Sequence, residues 1–275
     1  MSHNNQKKIA VINDISGFGR CSVAVALPII SAMKIQCCPV PTSIFSNHSG
    51  FKEFFFDDYT DKMQQYIDNW KKLDLQFKGI STGFLGSSRQ IEIVAKFLKD
   101  FSLKDTIVII DPVMGDYGKP YSTYTEEMCK DMRKLMSYAD IITPNLTEAC
   151  ILTDTLYKDN MAEKELEEII GKLSGMGPEK IVITGLLDGD YVANLVYERD
   201  RGISWIKNRK VGKERSGTGD IFAAIISADA VNGVDFTLSV KKASDFIMKC
   251  ISRSIEMDIP DTDGVCFEEF LTTLN

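Results

Sequence analysis

Ser216-Gly217-Thr218-Gly219-Asp220, followed directly by the apolar run Ile221 to Ile226, is the segment of this sequence best equipped for chemistry. Glycines at 217 and 219 let the backbone turn tightly against a ligand, and the apolar run after them is expected to form a helix whose first N–H groups point into that turn. The product is an anion pocket with a carboxylate at its edge. An aspartate at a helix start is also an ordinary N-terminal residue, stabilised by the helix dipole, and Asp220 standing alone reads equally well that way. The flanking Gly-Thr-Gly favours the pocket. Other polar residues have similarly plain alternatives: Asp111 before Pro112 can simply end a strand, Asn145 and Thr147 can cap a helix, and a lone His48 is more readily a hydrogen-bonded structural residue than a catalyst. Two histidines, His3 and His48, leave no pair for a histidine-rich zinc site, so any metal must be held mainly by oxygen.

The elements that must position these groups alternate. Short runs rich in Ile and Val are separated by longer amphipathic stretches, the pattern of βαβ units around a mostly parallel sheet. The first strand is expected over Lys8 to Asn13, giving way at Asp14 to a glycine-bearing turn and then a helix over Cys21 to Met33 that carries Pro28. Further strands are expected at 35–45, 79–82, 106–111, 141–143 and 180–184, with helices near 58–72, 88–101, 123–137 and 161–174. Tyr191 to Glu198 and Gly202 to Lys210, joined by Asp200-Arg201-Gly202, form an antiparallel hairpin at a sheet edge, and helices over 218–232 and 236–254 follow it. Without a linker, repeat or low-complexity tract, the 275 residues form one α/β domain.

Composition narrows the partners. Lys and Arg total 32 against 39 Asp and Glu, a net charge of −7 that repels a phosphate backbone, so no nucleic acid is expected. No apolar run reaches the ~18–20 residues that span a bilayer. The polar start at Met1 to Gln6 lacks the shape of a signal peptide, so no membrane and a cytoplasmic location are expected. Seven cysteines without C-x-x-C spacing read as reduced thiols.

The Gly-Thr-Gly-Asp element resembles that of the ribokinase-like superfamily of small-molecule kinases, and the likeness extends along the chain. Phe45-Ser46-Asn47-His48-Ser49-Gly50 is similar to the FSNHTG segment of pyridoxal kinases, Asp111-Pro112-Val113-Met114-Gly115-Asp116 with Gly118, Lys119 and Tyr121 to their DPVMGD element, and Ile142-Thr143-Pro144-Asn145-Leu146-Thr147-Glu148-Ala149 to their ITPN-x-x-EA element. The resemblance implies a three-layer sandwich and transfer of phosphate from ATP to the 5′-hydroxymethyl group of a vitamin B6 vitamer: pyridoxal, pyridoxamine or pyridoxine. It makes Asp220 the base that takes the hydroxyl proton, with the amides of Gly217, Thr218 and Gly219 holding charge on the transferred group, a division of labour suited to phosphoryl transfer. It places Asn145 and Glu148 near Mg²⁺ and its waters, Asp111 and Asp116 nearer the phosphates, and Thr143 and Thr184 against the nucleotide. It carries over Asp14 and Thr42 as polar contacts to the vitamer ring and Phe84 as an aromatic wall. A homodimer and a monovalent cation are further implications, and Val211 to Ser216 is the candidate closing flap.

The first turn departs from these relatives. Many pyridoxal kinases carry a Gln-Ser segment there, whereas this chain has Asn13-Asp14-Ile15-Ser16-Gly17-Phe18-Gly19-Arg20, which also resembles the hydroxymethylpyrimidine kinases of thiamin synthesis. Those enzymes usually read Gly-Thr-Gly-Cys at the anion pocket, where this chain has Asp220. Two other classes compete less well. Gly17-Phe18-Gly19 has Ser22 at the third position of the dinucleotide-binding fingerprint, and no acidic residue lies between Asp14 and Glu53 for a ribose, which argues against a nucleotide-dependent oxidoreductase. A non-catalytic nucleotide or vitamer binder would have little use for the combination of Asp220, Asn145 and Glu148.

Overall fold

The computed structural model describes residues 2–275 and forms three layers, α/β/α. The strands are β1 (Lys8–Ser16), β2 (Gln36–Phe45), β3 (Phe56–Asp58), β4 (Gly79–Thr82), β5 (Ile107–Ile110), β6 (Gly115–Asp116), β7 (Lys119–Pro120), β8 (Ile141–Ile142), β9 (Lys180–Asp188), β10 (Tyr191–Glu198) and β11 (Gly202–Arg209). Nine of them join one sheet in the order β11-β10-β9-β8-β5-β4-β1-β2-β3, while β6 and β7 pair as a separate small hairpin. From β9 to β2 the pairs are parallel; β10 and β11 run antiparallel at one edge and β3 at the other.

Both faces of the central strands are covered, which is why they read as unbroken apolar runs. Side chains alternate across β1, so Ala10 and Ile12 enter one core while Ile9 and Val11 enter the other. On the first face lie α2 (Thr60–Lys72), α3 (Ser88–Phe101), α4 (Glu126–Met136), α5 (Leu146–Thr153) and α6 (Glu163–Gly175). On the second lie α1 (Ser22–Ala32), α7 (Thr218–Asn232) and α8 (Phe236–Glu256), with Val265, Phe267 and Leu274 of the C-terminal segment packed against them. No helix among the described residues is long and apolar enough to cross a membrane.

The expected edge hairpin and the expected helices are present within a few residues. β1 is longer than expected, because pairing with β2 continues to Ser16. The register slips there: Asn13 faces Pro41 but Ile15 faces Ile44, so β2 advances three residues while β1 advances two. Such an irregularity re-aims side chains at a strand end. Three features lack a range in the sequence reading: α5, signalled there only by possible caps at Asn145 and Thr147, the strand β3 and the β6–β7 hairpin. β3 is too short and too exposed to show a period, and β6–β7 is a hairpin of two-residue strands inside the Asp111–Tyr121 segment.

Candidate active site

Parallel strands bring their carboxyl ends to one edge of the sheet, the usual place for ligands in this architecture. Asp14, Phe84, Asp111, Thr143 and Thr184 lie on or just after β1, β4, β5, β8 and β9 there. The amino end of α7 faces the same edge.

Gly217 is the N-cap of α7, in the left-handed conformation at φ +78°. A Cβ at this position would stand 1.9 Å from the Arg20 carbonyl oxygen, so only glycine fits. Lacking a side chain, it cannot cap the helix. The first bond of the turn runs from Ile221 N to the Gly217 carbonyl at 3.0 Å, which leaves the amides of Thr218, Gly219 and Asp220 free of helical partners. Thr218 Oγ1 donates to the Arg215 carbonyl at 3.2 Å and closes the loop from behind. A Cβ on Gly219 would meet nothing within 4 Å and Gly219 is exposed, so the turn is open at that residue.

Asp220 stands in the first turn of α7, where Asn13 Nδ2 donates to its Oδ1 at 3.2 Å. Burial pushes its carboxyl up to about 6, the Asp14 charge adds to the rise, and the Ser22 amide and Asn13 oppose it. A carboxylate with this proton affinity is ionised at neutral pH and still basic enough to accept a proton. Asp111 accepts from Thr143 Oγ1 at 3.0 Å, and burial together with the Asp220 charge pushes it up to about 8. Glu148 is raised well above the usual carboxylate range by burial and by Asp111, against the pull of two backbone amides. Burial also raises Asp116 on the β6–β7 hairpin.

Asn145 and Glu148 form a capping box at the start of α5. Asn145 Oδ1 accepts from Glu148 N at 2.9 Å, and Glu148 Oε2 accepts from Asn145 N at 2.8 Å. Glu148 Oε1 takes Met114 N at 3.2 Å, and Asn145 Nδ2 donates to the Gly115 carbonyl at 2.9 Å. The box therefore fastens α5 to the 111–116 segment. No three His, Cys, Asp or Glu side chains among the described residues converge tightly enough to hold a bare ion. The donor set still suits a hydrated Mg²⁺: it is all oxygen, each carboxylate oxygen keeps a free lone pair, and the raised proton affinities signal a site that gains from a cation.

The polar atoms of the residues that the resemblance assigned to the ring turn inward. Asp14 is buried, and its two oxygens accept from Ser16 Oγ at 2.9 Å and Ser22 Oγ at 2.6 Å, which ties β1 to the start of α1. Thr42 is fully buried and donates to the Phe84 carbonyl at 3.0 Å. These two residues fix the shape of the site, and Phe84 is the half-buried ring, packed edge-on against Phe45 and Tyr124. His48 follows the plain reading: Nδ1 accepts from Gly50 N at 3.1 Å, so Nε2 donates to the Thr262 carbonyl at 2.7 Å. The flap candidate is shorter than expected. Arg215 is buried, bonded to the carbonyls of Ile259 and Pro260 and paired with Asp261 at 3.1 Å, which pins that end and leaves Val211 to Glu214 exposed or half-buried.

Two participants escaped the sequence reading. Asn13 holds Asp220, and a polar residue at the end of the first strand was its available signal. The segment 259–264 receives both Arg215 and His48, contacts that span 44 and 214 residues of sequence and leave no local pattern.

The family model described as phosphomethylpyrimidine kinase matches residues 27–262. The chain belongs to the phosphomethylpyrimidine kinase family. Members of this ribokinase-like group include enzymes with two substrate names. The chain is 27% identical over 183 residues to the hydroxymethylpyrimidine/phosphomethylpyrimidine kinase of Aquifex aeolicus, a match covering 66% of this chain and 69% of that protein. It is 30% identical over 204 residues to the pyridoxal kinase of Bos taurus, covering 67% and 64% respectively, so the chain spans about two thirds of the length of these relatives. Among solved structures, a Bacteroides thetaiotaomicron protein provisionally named a phosphomethylpyrimidine kinase superposes with a TM-score of 0.97 at 38% identity, covering 100% of this chain and 96% of that one. A second crystal form of that protein, at TM-score 0.94 with 98% and 96% covered, was obtained with pyridoxal. The fold and the family are thereby those that the Gly-Thr-Gly-Asp, DPVMGD and ITPN-x-x-EA elements implied.

Proposed function

We propose that this family member uses ATP and Mg²⁺ to phosphorylate the 5′-hydroxymethyl group of a vitamin B6 vitamer. The observation that carries this reading is the Asp220 carboxylate set beside three unpartnered amides at an open helix N-terminus. Asp220 takes the hydroxyl proton as the substrate oxygen attacks the γ-phosphorus, the bond to the bridging oxygen of ADP breaks, and the vitamer phosphate ester forms. The amides of Gly217, Thr218 and Gly219, with Asp220 N beside them, receive charge on the transferred group, and fixed dipoles of this kind cost no reorganisation during reaction. Mg²⁺, when bound, neutralises phosphate charge; Glu148 and Asn145 would hold its waters, with Asp111 and Asp116 beside the phosphates.

The B6 substrate is favoured over the thiamin precursor by the Phe45 to Gly50 segment, by aspartate at 220 where hydroxymethylpyrimidine kinases usually carry cysteine, and by the pyridoxal complex of the Bacteroides relative. The Aquifex match and the Asn13 to Arg20 turn support the pyrimidine as the second reading. The test is ADP release with ATP and Mg²⁺ against pyridoxal, pyridoxamine, pyridoxine and 4-amino-5-hydroxymethyl-2-methylpyrimidine, with products identified by mass. Turnover of one or more vitamers is expected. Turnover of the pyrimidine alone moves the enzyme to thiamin synthesis, and binding without ADP release makes it a binding protein.

A further inference from the structure

Asn13 is buried beside the site, and each end of its side chain is committed. Its Oδ1 accepts from Asp14 N at 2.9 Å and from Phe84 N at 2.8 Å. With the oxygen held by two backbone donors, the amide has one orientation available, and its Nδ2 is directed at Asp220 Oδ1. The strand opposite is adapted to it: a Cβ on Gly83 would lie 2.4 Å from Asn13 Nδ2, so the side chain occupies the space that any larger residue would need. A small cavity alongside is lined on its polar side by Asn13, Ser81, Thr82, Asp111 and Asp220 and elsewhere by apolar residues that include Val11, Ile30 and Ala223, so the Asn13 amide is one of few polar groups bordering it.

We propose that Asn13 is a positioning residue: it fixes the carboxylate of Asp220 in its reactive orientation and ties that orientation to the backbone carrying the Phe84 ring, so that base and substrate wall move as one unit. This rests on the reading of Asp220 as the base. The charged and titratable groups that bear on Asp220 are Asp14 on β1, Asp111 after β5, Cys21 at the start of α1 and Tyr121 after β7; Asn13 is the side chain that donates a hydrogen bond to it.

The test compares Asn13→Asp and Asn13→Ala with wild type and with Asp220→Asn, reading kcat/KM for the preferred substrate against pH. Asn13→Asp keeps an oxygen for both backbone donors and replaces the donor to Asp220 with a second acid, so the fold is retained while the acidic limb moves up by about one pH unit or more. Asn13→Ala should lower kcat roughly tenfold, more than it raises KM, because the misaligned base still permits binding. In an Asp220→Asn background the Asn13→Ala loss should vanish, since Asn13 then has no base to orient. An unmoved limb in Asn13→Asp, or an undiminished Asn13→Ala loss in the double variant, overturns the proposal while leaving Asp220 as base. Full activity of Asp220→Asn overturns the reading beneath it.

Discussion

Two helices, α5 and α7, point their amino ends at the same edge of the sheet, and each carries an acid in its first turn. At α5 the Asn145 side chain caps the helix, and Glu148 answers with bonds to Asn145 N and Met114 N. Two of its end amides, those of Asn145 and Glu148, are thereby bonded by side chains. At α7 the N-cap is Gly217, with no side-chain cap, and the amides of Thr218, Gly219 and Asp220 have no helical partner. A capped terminus gains roughly 1 kcal/mol of stability and spends its polar groups in doing so. An uncapped one forgoes that stability and keeps its dipole available to an anion. The acid follows the same division, with Glu148 bound by backbone and Asp220 held from one side by Asn13. The same local chemistry thus serves as a fastener at α5 and, on the proposed reading, as the reaction centre at α7.

The largest effect expected from this contrast is at Asp220. Asp220→Asn keeps the shape of the side chain and removes the base, so turnover should fall by at least ~10²-fold while ATP binding changes little. Steady-state kinetics with direct nucleotide-binding measurements separate the two. Wild-type kcat/KM should show an acidic limb near pH about 6, because burial holds the Asp220 carboxyl there and protonation below it removes the base. Equal turnover by the variant would put α7 in the same class as α5.

The two glycines of the open terminus differ in kind. Gly217→Ala forces a Cβ against the Arg20 carbonyl oxygen from a left-handed backbone, and a carbonyl in a packed loop cannot give way. We expect a stability loss of roughly 2–4 kcal/mol, with turnover falling as the loop shifts. Gly219→Ala meets nothing and sits in helix, where alanine is favoured by about 1 kcal/mol, so thermal stability should hold or rise. On the proposed reading the added methyl group stands beside the amide that receives the transferred group, and turnover should fall roughly tenfold or more. Thermal melts and turnover on both variants check the pair. A Gly219→Ala protein with wild-type turnover would show that the open space in front of α7 is not where transfer occurs.

How much of this was legible in the sequence follows from range. The glycine turn at the start of α7 was readable because Gly217, Gly219 and Asp220 are neighbours and the helix begins at once. The parallel core was readable because strands covered on both faces show as apolar runs. Asn145 was visible as a helix cap, but its mutual capping with Glu148 depends on backbone geometry that spacing only suggests. The inward turn of Asp14 and Thr42 was not visible, because Ser22, 8 residues on, and Phe84, 42 residues on, decide where their polar atoms point. The anchor of Arg215 on segment 259–264 lay further still from any local pattern.

The smallest effect is at the capped helix. Asn145→Ala removes the acceptor for Glu148 N and the donor to the Gly115 carbonyl, while Glu148 keeps its bonds to the amides of residues 145 and 114. The cap alone is worth about 1 kcal/mol, which at this chain length lowers the Tm by roughly 2–4 °C. Release of the Gly115 carbonyl loosens the β6–β7 hairpin that carries Asp116, so the Mg²⁺ concentration for half-maximal turnover should rise while kcat at saturating Mg²⁺ falls less than about tenfold. That pattern is a fastener's: stability and metal dependence move together, and the chemical step is spared. A variant with an unchanged melt and a turnover loss as large as that of Asp220→Asn would place Asn145 among the reacting groups, and the amino end of α5 would then be a second half of the reaction centre, its capping box incidental to its work.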